Sequence, residues 1–118
     1  MKYEGTVTSV GNLALQFLHA NRMLILFDEN VPAAMRDMVV THAGEKPTQE
    51  IRPGDSLTIG RQAYTVADVG ESANRTLREN GHCTLVFGEN KTTVLPGQIV
   101  VQGQLHPRFR CGETLRFE

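Results

Sequence analysis

The 118 residues carry twelve basic and thirteen acidic side chains, a formal charge of -1, and no Lys/Arg stripe of the kind a nucleic-acid surface needs, so nucleic acid is not an expected partner. A chain of this length can bury one core without disulfides or metal and is expected to form a single domain over 1–118. Its longest apolar runs are about five residues against the roughly 20 that cross a bilayer, and no charged-then-apolar leader opens it, so a soluble, cytoplasmic protein is expected.

Taken in chain order, Tyr3–Val10 alternates loosely and includes Val and Thr, as suits a half-exposed first strand closed by Gly11 and Asn12. Residues 13–21 mix the two hydrophobic periods and fit either a short helix or an irregular strand, with His19 on the surface. Met23–Phe27 is a continuous apolar run, expected as a strand covered on both faces. After Asp28 and Glu29, Asn30 or a neighbour is placed to cap a short helix whose first turn accepts Pro32.

That helix leads into Met38-Val-Val-Thr-His42-Ala-Gly44, where an apolar run ends in a hydroxyl, an imidazole and a glycine. Period-two alternation puts Met38, Val40 and His42 on one face, with the ring at the end of an inward row. Ala43 and Gly44 are small enough to leave their backbone N–H groups open to an anion beside the ring, and Thr41 offers a hydroxyl. From this pattern alone, a strand-end histidine is more often a packed, hydrogen-bonded residue than a nucleophile. Residues 45–50 are polar, contain Pro47 and read as a loop suited to docking a partner.

Pro53 and Gly54 mark a turn, and Ser56–Ile59 and residues 63–66 read as a hairpin around Gly60. Residues 71–80 form the clearest helix, with Ser72 as cap, Ala73 and Leu77 four apart on one face and Gly81 as terminator. His82 opens another apolar strand, residues 88–91 form a turn, and residues 98–102 and 114–117 supply the last strands. Residues 52–59 match residues 110–117 position for position: Arg, any, Gly, acid, hydroxyl, Leu, Thr or Arg, apolar. Repeated turn-strand units, seven or eight short strands and one or two short helices point to a mainly β fold, a small closed or nearly closed β-barrel, with a sandwich as the alternative.

Cys83 and Cys111 form no C-x-x-C pair and read as reduced thiols. A zinc site from His82, Cys83 and a distant His is disfavoured because adjacent strand residues face opposite ways; no metal or cofactor is expected.

Order and spacing together resemble the glucitol/sorbitol-specific IIA component of the phosphoenolpyruvate-dependent sugar phosphotransferase system across nearly the whole chain. The pieces that carry the resemblance are Met23–Phe27, the helix entry at Val31, Pro32 and Ala33, His42 after its apolar strand, Pro53 with Gly54, residues 67–70, 74–79 and 81–87, Pro96 with Gly97, and the ending 115–118. The resemblance implies a compact β-barrel that carries a phosphoryl group on one histidine, which falls on His42. The group would come from the histidine-containing phosphocarrier protein and pass to the IIB component, with membrane contact only through the permease. His82 also matches a family position, where it either supports the site or caps the preceding helix; His19 and His106 are not expected to be phosphorylated.

The chemistry fits: neutral imidazole is a nucleophile near pH 7, and a phosphoryl group on nitrogen stays labile enough to pass on. The chain has no G-x-x-x-x-G-K-[ST] loop, consistent with a group that arrives already activated. The rival function is a non-catalytic β-barrel adaptor or ligand-binding module; a zinc-dependent or hydrolytic enzyme using His42 and His82 ranks last for want of an acidic partner.

Overall fold

A computed structural model describes residues 1–88, 94–103 and 107–118. Eight strands close into a barrel: β1 (Tyr3–Val10), β2 (Met23–Phe27), β3 (Val39–Gly44), β4 (Ser56–Ile59), β5 (Gln62–Val69), β6 (Cys83–Phe87), β7 (Gln98–Gly103) and β8 (Thr114–Phe117). Around the barrel the order is β1-β3-β2-β6-β7-β5-β4-β8, which closes on β1. Among the described residues only β2/β3 and β6/β7 run parallel. Closure removes the exposed edges that short strands would otherwise present.

Period-two alternation builds the core. Tyr3 and Val7 point inward from β1, Leu24 and Leu26 from β2, Leu57 and Ile59 from β4, Leu115 and Phe117 from β8, all of them buried. The Met23–Phe27 run is not covered equally on both faces: Met23, Ile25 and Phe27 are only half-buried, because the outer face of β2 is not fully roofed.

Among the described residues, two α-helices and one 3-10 helix connect the strands. Residues 13–21 resolve as a helix, α1 (Ala14–Asn21), which buries Ala14 and Leu18, four apart. The predicted helix after Gly70 is α2 (Ala73–Asn80), burying Ala73 and Leu77 and ending at Gly81 in the left-handed conformation. The Ser72 side chain makes no cap bond, contrary to expectation; its backbone N–H instead meets the Pro96 carbonyl. Asn30 likewise caps nothing: Pro32 precedes a 3-10 helix, Ala33–Met38, and the Asn30 N–H donates to the Asp28 carboxylate. Met38 belongs to that 3-10 helix, so the strand begins one residue later than the alternation implied. Of the predicted turn over 88–91, residues 89–91 lie outside the described residues, as does His106.

The repeat seen between 52–59 and 110–117 is one part of an internal two-fold that covers the barrel. Under it β1, α1, β2, β3 and β4 correspond to β5, α2, β6, β7 and β8. Leu24 faces Leu85 while Leu26 faces Cys83, and Leu57 faces Phe117 while Ile59 faces Leu115, so both antiparallel pairs on the axis map onto themselves. The 52–55 and 110–113 turns are built alike. Arg52 N–H donates to the Asp55 carboxylate and Arg110 N–H to the Glu113 carboxylate, both at 2.7 Å. Gly54 and Gly112 have φ of 95° and 90°. With the structure as guide, identities at one constant spacing emerge in the sequence: Val7 with Val66, Gly11 with Gly70, Ala14 with Ala73, Leu18 with Leu77, Leu26 with Leu85. Each is buried or at a close approach. The Gly11 N–H reaches the Val39 carbonyl and the Gly70 N–H the Gln98 carbonyl, and a Cβ on either glycine would strike backbone.

Candidate functional site: the His42 pocket

β3 lies between β1 and β2, but its pairing with β2 stops at Thr41. Beyond that point the strand end faces the C-terminal end of α2, and His42 fills the junction. Its side chain points into the barrel from the same face as Val40 and is 2 % exposed. The Nε2–H donates to the Gly81 carbonyl at 2.7 Å, and the Tyr3 hydroxyl donates to Nδ1. The Tyr3 ring stands edge-on to the imidazole with centroids 5.4 Å apart. Burial pushes the His42 pKa below its usual value, outweighing the upward pull of the Gly81 carbonyl and the Asp28 carboxylate, so the ring is neutral at pH 7. Burial likewise raises the Tyr3 phenol to about 12, keeping it a donor.

The register of β1 against β3 explains how Tyr3 reaches the ring. Gly5 pairs with Gly44, and a Cβ at Gly5 would lie 2.2 Å from the Tyr3 hydroxyl oxygen. The phenol thus crosses the space a side chain at Gly5 would take. Gly81 is constrained twice. Its φ is +61°, and a Cβ there would come within 2.9 Å of Asp28 and 3.0 Å of His42 Nε2. Asp28 completes the junction, its N–H donating to the Asn80 carbonyl at 2.9 Å.

A pocket of about 420 Å³ opens over the ring, lined by Tyr3, residues 28–30, residues 42–47, Leu77, Arg78, Glu79 and Gly81. The loop after β3 borders the site through residues 45–47, together with residues 28–30. Lys46 is tied across the mouth to the Arg78 carbonyl at 2.9 Å.

Of the residues singled out in the sequence, the structure brings His42, Ala43 and Gly44 to the pocket and leaves two elsewhere. Ala43 and Gly44 do not form a loop with both amides open: they are strand residues paired with Thr6 and Gly5 of β1, because the ladder continues to the strand end. Thr41 faces the other side of the sheet, where a bulge at Thr8 brings the Thr8 and Ser9 hydroxyls to its Oγ1 at 2.7 and 2.5 Å. His82 does not line the pocket. Its Nδ1–H donates to the Leu26 carbonyl at 3.1 Å and its ring packs on Phe27 at 4.6 Å. Cys83 beside it is fully buried, its thiol raised to about 12 by burial. Among the described residues no group of three His, Cys, Asp or Glu side chains could hold a metal.

Residues 2–116 match the family described as the PTS system glucitol/sorbitol-specific IIA component. The chain belongs to this family. The IIA family's Escherichia coli (strain K12) glucitol/sorbitol-specific EIIA component is 33 % identical over 116 residues, covering 98 % of this chain and 94 % of that protein, and the Shigella flexneri protein of the same description matches equally. The crystal structure of a PTS system IIA component from Enterococcus faecalis V583 superposes with a TM-score of 0.87 at 29 % identity, covering 98 % of both chains. The pocket thus has at its floor a neutral imidazole hydrogen-bonded at both ring nitrogens. No helix among the described residues is long and apolar enough to cross a membrane.

Sequence reading missed Tyr3, Asp28, Lys46, Arg78 and the Gly81 carbonyl. Tyr3, two residues before a glycine in a first strand, is a faint signal that gains meaning only once Gly5 is known to face Gly44.

Proposed function

We propose that the chain is a single-domain cytoplasmic phosphocarrier that accepts a phosphoryl group on His42 from the histidine-containing phosphocarrier protein. It passes the group to a IIB component during glucitol/sorbitol uptake. The observation that carries this is His42 itself: a neutral imidazole held at two nitrogens on the floor of an open pocket. Attack by a ring nitrogen needs the neutral form, and burial maintains it. Catalysis of in-line transfer is chiefly positioning and neutralisation of charge on the phosphoryl oxygens. The donors at hand are the Tyr3 hydroxyl and the Lys46 and Arg78 side chains at the mouth.

The mouth also carries Asp28, Glu29, Glu45 and Glu79, so a partner with a basic rim around its own phosphoryl site is matched in charge. Contact is transient and modest in area, since a carrier must release each partner after transfer.

The non-catalytic adaptor reading draws on the 2 % exposure of His42 and the engagement of both its nitrogens, which a packed histidine would share. One experiment separates the two. Incubation with phosphoenolpyruvate and the two general carrier proteins is expected to add the mass of one phosphoryl group, acid-labile and absent from His42→Gln. A protein that gains no mass, or a His42→Gln variant that still gains it, overturns the proposal.

A further inference from the structure

The two partners of the His42 ring differ in what they can release. The Gly81 carbonyl oxygen can only accept, so the ring proton resides on Nε2 and the lone pair on Nδ1. That carbonyl belongs to the left-handed cap of α2, where the Gly81 N–H returns to the Leu77 and Thr76 carbonyls. Freeing Nε2 would leave the Gly81 carbonyl, fixed in place by that cap, without this donor. The Nδ1 lone pair is engaged by a side-chain hydroxyl, that of Tyr3, which itself lines the pocket. Rotation about the Tyr3 side-chain bonds uncovers it with no backbone change.

We propose that Tyr3 is a positioning residue that locks His42 in the Nε2–H tautomer, and that its hydroxyl swings from Nδ1 to the incoming group so that Nδ1 is the nitrogen phosphorylated. This rests on the reading of His42 as the acceptor. In the step, the Nδ1 lone pair forms the N–P bond while the donor's P–N bond breaks, its electron pair returning to the donor nitrogen. The Nε2 proton stays on the ring, still held by the Gly81 carbonyl. The positive charge the ring acquires is faced by Asp28, and the Tyr3 O–H donates to a phosphoryl oxygen in place of Nδ1. Gly5 is what lets the phenol lie over the strand to do this.

Nitrogen NMR on labelled protein reads the lock without any phosphoryl transfer. His42 is expected as the Nε2–H tautomer in the native chain and as a tautomer mixture in Tyr3→Phe, with Tyr64→Phe unchanged. Phosphorylation with phosphoramidate, a small donor that needs no partner protein, followed by phosphorus–nitrogen correlation, is expected to place the group on Nδ1. With the carrier proteins as donors, Tyr3→Phe should be phosphorylated about tenfold more slowly, the low end of what losing the partner that orients a functional imidazole costs at metal sites. Phosphate on Nε2, an Nδ1–H resting tautomer, or a Tyr3→Phe variant with unaltered tautomer and rate overturns the inference while His42 remains the acceptor. No phosphohistidine from either donor, with the tautomer as expected, overturns the acceptor reading and this inference with it.

Discussion

His42 and Val101 occupy equivalent places in the two halves of the barrel. His42 faces Val7 across β1 and β3 immediately before a bulge, and Val101 faces Val66 across β5 and β7 immediately before another. The surroundings diverge. Tyr3, Asp28 and Gly81 meet at the His42 end, and their counterparts at the other end are Gln62, Phe87 and Arg22. There Phe87 packs edge-on against Tyr64 at 5.3 Å and lies 6.5 Å from Phe109, an aromatic cluster where the first end has a polar pocket. Gln62 turns outward and clamps Arg108 through two hydrogen bonds of 2.7 Å. The framework is therefore indifferent to chemistry. A few substitutions at one end of a repeated scaffold make the pocket, while the other end spends the same positions on packing.

The largest expected effect tests the shared framework. Leu26 and Leu85 are equivalent and both fully buried. Truncating either to Ala is expected to cost about 2–5 kcal/mol, and by the two-fold the two losses should be alike. Urea unfolding of both variants checks this; a loss at one site more than twice that at the other would mean the halves are packed differently despite their common trace.

Next in size is the pair of left-handed helix ends. Gly81 and Arg22 both close a helix, with φ of 61° and 54°. Gly81→Ala should destabilise by about 2 kcal/mol, from the left-handed backbone and the approach of the new Cβ to Asp28 and His42. Arg22→Gly should instead relieve the same backbone cost, offset in part by a more flexible unfolded chain, for a net change under about 1 kcal/mol. Thermal unfolding distinguishes them, and equal effects at the two sites would show that crowding around His42 plays no part.

Much of this was legible in the sequence because the signals are local. Gly-punctuated alternating segments announce a β-barrel, Ala73 and Leu77 four apart announce α2, and an imidazole ending the Val39–Gly44 strand announces an inward histidine. The extended match of motifs pointed to the IIA family. What stayed hidden depends on register. Whether Ala43 and Gly44 are free or paired, and whether Tyr3 lies over Gly5, is settled by which residue of β1 faces which of β3. Alternation within one strand cannot say this. The two-fold was half-visible: residues 52–59 and 110–117 carry turn chemistry that reads at a glance, whereas β1 to β3 and β5 to β7 share mostly small and apolar positions.

The smallest effect separates the two ends by pH, since His42 titrates and Val101 does not. Burial depresses the native pKa of His42, so in the unfolded chain it takes up a proton near its ordinary value of about 6.5 while the folded protein still refuses one. Its contribution to stability is thus present in full above that value and is lost as pH falls through the depressed native pKa, at no more than about 1.4 kcal/mol per pH unit. Asp55 does not blur the measurement. Burial raises its pKa, but the hydrogen bond and charge of Lys2 and the Arg52 N–H hold it below the usual carboxylate value, so its share of stability is lost only below about pH 4. Unfolding free energies between pH 8 and pH 5 should fall more steeply for the native chain than for His42→Gln, with the difference flat above neutrality and opening below it. Parallel curves would mean that His42 is as easily protonated in the folded barrel as in water, and that burial is not what keeps the ring neutral at this end.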